Sequence, residues 1–210
     1  MTPAARSNLA PSDEGRSTSS RPLTIRQTER RARVLRAAAE LAAEGGYDSV
    51  QIREVAARAE VALGTVYHYF ESKDDLLAAL LLEWLRRFET QLSDEPPVGA
   101  TVADRVSDVF GRGVVSMGAN PDVSAALMMG LSSPGEASAA HQAQLHRTLT
   151  SALGLAFDDD FDPGQQARII RTLEHVWYSG LLGWIYGWMP YEQAASELDD
   201  AIHVLLDHYS

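Results

Sequence analysis

Apolar side chains recur every three or four positions along most of the chain, which is the spacing of an amphipathic helix. The first such stretch covers residues 26–44, and Gly45 and Gly46 follow it as a typical stop signal. We predict that this first helix buries one face, which is made by Val34, Leu35, Ala38, Leu41 and Ala42.

Two short helices joined by a tight turn are predicted next. The first carries an apolar stripe that ends in Val55, Ala56 and Ala59, with Ser49 as its candidate N-cap. Residues 60–62 break the pattern, and residues 63–69 resume it. Because the two alanines allow the helices to cross closely, the layout is that of a helix-turn-helix, whose second helix lies in the major groove of DNA.

The second short helix alternates apolar with hydrogen-bonding side chains. Val66 and Phe70 are predicted to point inward, whereas the outward positions are Thr65, Tyr67 and His68. The alternative is a three-helix domain that serves packing alone, but such a domain would not need exposed polar groups clustered together. Residues 72–75 then form a capping box that opens the next helix.

The remaining chain is helical throughout, so the predicted fold class is all-α. The helices are expected at residues 73–92, 101–117, 121–131, 136–157, 165–189 and 191–209. The sequence at 94–99, which contains two prolines and a glycine, marks the passage into a second helical domain. Aspartates at 158–162 form an acidic turn that favours the start of the following helix.

The helix predicted at residues 165–189 is apolar around most of its circumference, so it must be buried on most sides. It also contains Gly180, Gly183 and Gly187, which are unfavourable inside a helix by up to about 1 kcal/mol each. Two interpretations stay open for these glycines. They permit a close approach of helices, as at a dimer seam, or they leave room for a ligand.

The net charge of −11 is unevenly distributed along the chain. Residues 1–36 carry +5, residues 1–75 are neutral, and residues 76–210 carry the whole −11. Basic charge therefore coincides with the part that would contact DNA phosphates. Residues 1–22, rich in Ser, Pro, Ala and Arg, are predicted to be disordered. They act either as a solvated tail or as a basic arm that enters the minor groove.

Sequence motifs of enzymes are absent. The chain has neither a P-loop nor a Gly-x-Ser-x-Gly elbow, and its six histidines lack the spacing of metal ligands. We therefore predict a protein that is not an enzyme and has no cofactor and no metal. Zero cysteines fit a cytoplasmic protein. Since no apolar run approaches 18 residues, no membrane partner is expected.

Residues 45–77 resemble the DNA-binding domain of the TetR family of transcriptional repressors. The positions that match are Gly46, Val55, Ala56, Ala59, Val61, Gly64, Thr65, Tyr67, Tyr69, Phe70, Lys73, Leu76 and Leu77. Two positions depart from the family pattern, because Glu60 replaces the usual turn glycine and Ala62 replaces the usual capping serine. Each departure costs about 1 kcal/mol of stability, but neither removes a DNA contact.

The resemblance implies a domain organisation and a mode of action. It implies a tail at 1–22, a helix-turn-helix domain at 23–75 and a ligand-binding and dimerisation domain at 76–210. The homodimer would pair its last two helices in a four-helix bundle, with Leu198 and Ile202 at the seam. The protein would repress transcription from a palindromic double-stranded operator until an effector releases it. DNA contacts are expected from Gln51, Arg53, Leu63, Gly64, Thr65, Tyr67, His68 and Lys73.

Segments in both domains resemble the branch of actinobacterial regulators of steroid and lipid catabolism. The segments that match include residues 45–47, 50–53, 62–65, 120–121 and 176–184. That branch implies an apolar effector, either a steroid- or fatty-acyl-derived compound or its coenzyme A thioester. The cavity is predicted to be lined by Trp84, Phe88, Met117, Leu127, Met128, Leu131, Trp177, Tyr178, Leu181 and Trp184.

Polar groups of the second domain complete the predicted effector site. Tyr178 and His146 are candidates to hold a carbonyl or hydroxyl group of the effector. A bare, multiply anionic effector would need Arg105, Arg112 or Arg147 at the entrance, because the domain is acidic, so any charged part of the effector is expected near solvent. Two alternatives to an effector-released repressor remain. One is a ligand-independent regulator or activator of the same fold, and the other is a helical lipid carrier whose DNA motif is vestigial.

Overall fold

The structure is a computed structural model that describes residues 24–132 and 136–209, with the side chains of 136–138 not described. The predicted disordered tail at 1–22 lies outside the described residues. Within them the chain is all-α and ends in a short 3-10 turn, Asp207–Tyr209. The helices are α1 (Ile25–Ser49), α2 (Ile52–Arg58), α3 (Leu63–Tyr69), α4 (Lys73–Asp94), α5 (Val102–Gly118), α6 (Pro121–Leu131), α7 (Glu136–Gly154), α8 (Pro163–Ile185) and α9 (Tyr191–Leu206).

The predicted end of α1 at the glycine pair is confirmed by the backbone. Gly45 is extended, and Gly46 has a φ of 65°, in the region that favours glycine. The regular helix therefore breaks there, and one short turn leads to Ser49. At its other end α1 begins with a capping box between Thr24 and Gln27. The predicted buried face of α1 is also confirmed, since its five residues are each at most 5% exposed.

One predicted cap, at α2, differs from the structure, and the cap predicted at α4 is present with a different second bond. Ser49 does not cap α2, because it ends the turn after α1 and its carbonyl accepts a hydrogen bond from the N–H of Gln51. Gln51 is the N-cap residue of α2 instead, without a side-chain cap bond. At α4 the predicted cap is confirmed, since Ser72 Oγ accepts from the N–H of Asp75. The Asp75 carboxylate, however, accepts from the N–H of Glu71 and not from that of Ser72.

The ends of α7 and α8 also differ from the prediction. Helix α7 stops at Gly154, whereas the sequence pattern extended it to residue 157. Helix α8 stops at Ile185, four residues early, because Gly187 has a φ of 75° and the N–H groups of Trp188 and Met189 turn back to the carbonyl of Gly183. Gly187 is therefore a turn glycine, outside the helix. Asp162 caps α8 through its carboxylate, as the acidic turn predicted.

Two apolar clusters form the core, and α4 contributes to both. The first joins α1, α2 and α3 to the beginning of α4 and to α6, and the second joins the end of α4 to α5, α7, α8 and α9. Helix α6 packs closely on α4, since a Cβ on Gly130 would lie 2.6 Å from the Cβ of Leu77. Apolar residues on both sides of the predicted domain boundary at residues 75/76 therefore pack together, and the boundary stays a prediction.

The glycines of α8 serve contacts within the chain. A Cβ on Gly180 would lie 3.0 Å from the Cβ of Ala194, so this glycine lets α8 and α9 approach each other. Leu198 and Ile202 are each 1% exposed in the core of their own chain, which corrects their predicted position at a seam between copies. Burial of α8 on most sides is only partly observed, since Tyr178 is 37% exposed.

Candidate functional site

The turn between α2 and α3 contains both residues that depart from the family pattern, Glu60 and Ala62. Glu60 has a φ of 54°, which is left-handed backbone, and it is the only non-glycine residue with positive φ in the described part of the chain. The N–H of Val61 donates to the carbonyl of Ala56 and closes the turn. Ala62 stands at the N-cap of α3 without a side-chain bond. The helix-turn-helix forms despite both costs.

The face of α3 that points away from the core carries most of the predicted DNA contacts. Val66 and Phe70 anchor the helix, at 0% and 2% exposed. Around them, Tyr67 is 54% exposed and Leu63 37% exposed. No atom outside the helix backbone lies within 4 Å of the position where Gly64 would carry a Cβ. Most of the predicted residues on α3 and at the start of α2 are exposed, namely Gln51, Arg53, Leu63, Gly64, Tyr67 and His68, whereas Thr65 is partly buried.

Lys73 is held by an aromatic ring at the edge of this surface. Its Nζ lies 3.5 Å from the centroid of the Tyr47 ring, which is a cation–π contact. The Tyr47 hydroxyl donates to Asp74 Oδ1 at 2.6 Å, and this bond, together with burial, raises the pKa of Tyr47 to about 12. Sequence reasoning did not assign Tyr47 a role. Its aromatic ring positions the half-buried lysine beside α3.

Two arginines near the start of α1 contact the helix-turn-helix. The Arg31 guanidinium lies 5.4 Å above the ring of Phe70, and Arg33 Nε donates to the carbonyl of Ala59 at 3.3 Å. Arg26 and Arg30 are exposed. Arg31 and Arg33 therefore connect α1 to the helix-turn-helix, whereas Arg26 and Arg30 face solvent.

A cavity of about 630 Å³ lies between α4, α5, α6, α7 and α8. Seven of the ten predicted residues line it, namely Trp84, Met117, Met128, Leu131, Trp177, Tyr178 and Leu181. Further apolar side chains complete the wall, namely Leu81, Leu85, Phe110, Leu145 and Leu149. A volume of this size and an apolar lining are typical of small-molecule sites.

The other three predicted residues lie outside this cavity. Phe88 stacks on Trp84, with ring centroids 5.5 Å apart and planes only 6° from parallel. Leu127 lines a separate space of about 80 Å³ between α4, α5 and α6. Trp184 packs against Tyr191 of α9, at 4.6 Å between centroids.

Polar groups reach the cavity from α7 and α8. His146 Nδ1 lies 2.6 Å from Glu174 Oε2, and the Tyr178 hydroxyl lies 3.1 Å from Ser132 Oγ. Burial raises the pKa of Glu174, and the hydrogen bond from His146 opposes that shift. The remaining polar lining comes from Gln142, Arg171 and His175.

Sequence reasoning found His146 and Tyr178 but missed Glu174. A signal was available, because Glu174 is the charged member of an otherwise apolar stripe formed with Ile170, Trp177 and Leu181. None of the three arginines that a multiply anionic effector would need lines the cavity. Arg105 binds the carbonyl of Ala156 and the carboxylate of Asp158, Arg112 pairs with Asp108, and Arg147 does not line the cavity. Arg171 is the arginine at the cavity.

Neither a metal site nor a membrane span is indicated in the part of the chain that the structure describes. The histidine and carboxylate side chains of residues 24–132 and 139–209 form no cluster of three or more that could hold an ion. Among the helices of the same residues, none has both the length and the apolar character needed to cross a bilayer.

Comparison with known proteins identifies the two halves of the chain. Residues 34–80 match the family described as "Bacterial regulatory proteins, tetR family", and residues 99–205 match "Tetracyclin repressor-like, C-terminal domain". The HTH-type transcriptional repressor KstR of Mycobacterium tuberculosis is 32% identical over 180 residues, which cover 86% of this chain and 82% of KstR.

Solved structures share the fold. A TetR transcriptional regulator from Rhodococcus sp. RHA1 aligns with a TM-score of 0.79 at 28% identity, over 88% of this chain and 100% of that one. Thermus thermophilus FadR in complex with lauroyl-CoA aligns with a TM-score of 0.62 at 24% identity, over 83% and 92% of the two chains. The two family matches, the similarity to a repressor over most of both chains and the exposed face of α3 all indicate the same class of protein. The chain belongs to the TetR family and is a DNA-binding transcriptional repressor.

Proposed function

We propose that this repressor is a homodimer that leaves a palindromic operator when an apolar small molecule occupies the 630 Å³ cavity. The cavity itself carries this proposal, because its wall is mostly apolar and is built from five helices. The effector class is a steroid- or fatty-acyl-derived compound, or its coenzyme A thioester. Similarity to KstR and the shared fold with a FadR that holds lauroyl-CoA support this class.

The DNA contacts follow from side-chain chemistry on the α2–α3 surface. Tyr67 and Lys73 bind phosphates through their polar tips, and Lys73 has its position set by the Tyr47 ring. Gln51 and Arg53 at the start of α2, and Leu63, Thr65 and His68 on α3, approach base edges or the adjacent backbone. Gly64 allows close approach of the protein backbone to DNA, since nothing crowds it.

The dimer is proposed to form through the exposed faces of α8 and α9. The α8 face carries Arg168, Thr172, His175 and Ser179, and the α9 face carries Gln193, Glu197, Asp200 and Val204. The α8 face carries one arginine and the α9 face two carboxylates, so α8 of one copy complements α9 of the other. Such a dimer holds two α3 helices at half-sites about 34–36 Å apart.

Ligand and DNA are coupled through α4 and α6. Met128 and Leu131 of α6 line the cavity, and the same helix packs on α1 and, at Gly130, on α4. A ligand that prefers a different position of these helices changes the separation of the two α3 helices. It lowers operator affinity by its differential affinity for the two arrangements.

Titration of a protein–operator complex tests this function. DNA from upstream of the protein's own gene is bound, and lauroyl-CoA and 5β-cholanic acid are added separately. We expect at least one of them to release the DNA and to raise the thermal midpoint of the free protein. Trp177→Ala and Met128→Ala should weaken that response about tenfold or more, since each removes cavity-lining surface.

Met129→Ala is the matched control, because Met129 is adjacent to Met128 but 41% exposed and outside the cavity lining. It should leave the response unchanged. Ligand binding without DNA release would favour the ligand-independent regulator. Failure to shift the upstream DNA would favour the lipid carrier.

A further inference from the structure

The polar lining of the cavity is confined to one side. Among the described residues, α4, α5 and α6 contribute apolar side chains, apart from the Trp84 indole, whose N–H is already bonded to Ser116 Oγ. All other polar lining groups belong to α7 and α8, namely Gln142, His146, Arg171, Glu174, His175 and Tyr178. An apolar ligand with one polar end would therefore bind in a single orientation.

Glu174 is the group of this set with a buried oxygen that lacks a hydrogen-bond partner among the described residues. Its side chain is only 15% exposed, and Oε2 is bound by His146 Nδ1 at 2.6 Å. Oε1 is shielded from solvent and has no hydrogen-bond partner among the described residues. A carboxylate offers about four acceptor sites, so most of the capacity of this group is unused. Buried polar groups without partners are rare, and each one calls for an explanation.

We infer that Glu174 accepts a hydrogen bond from a hydroxyl group on the ligand, so that the cavity selects apolar alcohols over the corresponding ketones and hydrocarbons. This inference rests on the proposed function of the cavity. Oε1 is shielded in the empty cavity, and because the terminal torsion of a glutamate is broad, a small rotation of the carboxylate, which His146 can follow, brings Oε1 to the cavity surface. Glu174 accepts when it is ionised, and it still accepts through Oε1 when the proton lies on Oε2 facing His146. A ketone offers no donor, and a ligand carboxylate would bring a like charge beside Glu174.

Two matched ligand series test the inference on the full-length protein. One is 5α-androstan-3β-ol, 5α-androstan-3-one and 5α-androstane, and the other is 2-dodecanol, 2-dodecanone and dodecane. Binding is followed by quenching of tryptophan fluorescence, since Trp84 and Trp177 line the cavity. In at least one series the alcohol should bind about tenfold more tightly than its ketone, as one hydrogen bond to a buried charged group implies.

The variants Glu174→Gln and Glu174→Leu separate the acceptor from the shape of the site. In both, the ratio of ketone to alcohol dissociation constants should fall to about one or below, because an amide can donate to a ketone and leucine cannot bond to either. The exposed Glu192→Gln on α9 is the control and should keep the wild-type ratio. A general loss of folded protein weakens the binding of alcohol and ketone equally, so it does not change the ratio of their dissociation constants.

The outcomes distinguish the two proposals. Equal binding of alcohol and ketone by the wild type, or a preference that survives in both Glu174 variants, overturns the hydroxyl subsite and leaves the apolar cavity standing. If no member of either series binds, the proposed effector site fails and the subsite fails with it.

Discussion

Single side chains set the local stability of the DNA-reading helix. Glu60 and Ala62 occupy the turn before α3 in place of a glycine and a capping residue. Helix α3 nevertheless begins at Leu63, directly after the turn. Burial of Val66 and Phe70 in the first apolar cluster offsets both local costs. The backbone of the turn follows the family pattern because tertiary packing outweighs about 2 kcal/mol of local penalty.

Restoring the cap should stabilise the protein. Ala62 has extended backbone at the N-cap of α3, so Ala62→Ser can accept a hydrogen bond from an N–H of the first turn. We expect a gain of about 0.5–2 kcal/mol in the free energy of unfolding, measured by urea denaturation. Ala57→Ser, at an exposed position inside α2, is the control and should be neutral or slightly destabilising. A loss of stability in Ala62→Ser would contradict the capping argument.

Lys73 gives the clearest test of a phosphate contact. Lys73→Ala should weaken binding to operator and to unrelated DNA alike, and it should lower the slope of log affinity against log salt by about one. Tyr47→Leu should show a smaller loss in the same direction, because it removes the ring that positions the ammonium group. Arg87→Ala, a solvent-exposed residue further along α4, is the control. An unchanged salt slope in Lys73→Ala would exclude this contact.

Glu174 should impose a pH dependence on stability. Burial raises its pKa in the folded protein above the ordinary value of 4.5, against the opposing effect of His146, His175 and Arg171. The folded state then holds the proton more tightly than the unfolded state, so stability falls as pH rises from 4.5 through the folded pKa. Glu174→Gln should therefore raise the thermal midpoint at pH 7, and the difference from wild type should vanish below pH 4.5. A midpoint difference independent of pH would contradict this linkage.

Helix α6 is the element that joins the cavity to the DNA-binding part of the chain. It contributes Met128 and Leu131 to the cavity, and it packs on α1 and α4 through its other face. It approaches α4 tightly at Gly130, where the Cβ of Leu77 and the carbonyl of Asp74 leave no space for a side chain. The glycine therefore fixes the distance between α6 and α4.

A methyl group at Gly130 should change both stability and coupling. Gly130→Ala forces α6 away from α4, at a cost of about 1–3 kcal/mol in the free energy of unfolding. Operator affinity should change as well, because the spacing of α4 and α6 positions the helix-turn-helix. Gly111→Ala on the exposed face of α5 meets nothing within 4 Å, and it should stabilise by up to about 1 kcal/mol without changing DNA binding. Equal behaviour of the two variants would refute the role of this contact.

The assembly of two chains depends on surfaces rather than on the core. Leu198 and Ile202 are each 1% exposed, so an arginine at either position would unfold the chain and would not test dimerisation. Exposed positions on the proposed α8–α9 face are suitable instead, since Val204 is 81% exposed and Ser179 lies on the same face of the bundle.

Ser179→Glu and Val204→Arg should yield folded monomers with weak operator binding, because each places a charge opposite a partner face that carries the same charge, at Glu197 and Asp200 or at Arg168. The masses are measured by light scattering at micromolar concentration. Val115→Arg, at a 74% exposed position on α5, is the control and should stay dimeric. A wild-type protein that is monomeric under these conditions would contradict the proposed assembly.

Hydrophobic spacing in the sequence was sufficient to predict the all-α class, the order of the helices and the inward positions of α1 and α3. These properties depend on neighbours three or four residues apart, which the sequence displays directly. The helix-turn-helix was predictable for the same reason, because its turn, its anchors Val66 and Phe70 and its outward Tyr67 lie within one short segment. Where the signal depended on one turn, as at Ser49 and at the end of α8, the prediction was wrong, because several cap positions compete locally.

Contacts between distant segments were decided only by the tertiary structure. Phe88 and Trp184 lie outside the cavity because their rings pack against Trp84 and Tyr191. Gly180 faces Ala194 of the same chain. Glu174 and His146 are 28 positions apart, and their 2.6 Å contact arises because α7 and α8 face each other across the cavity. Helical periodicity reports which face of a helix is apolar, but it carries no information on which partner covers that face. The helices were therefore determined by the sequence alone, whereas the composition of the cavity wall was determined by how those helices pack.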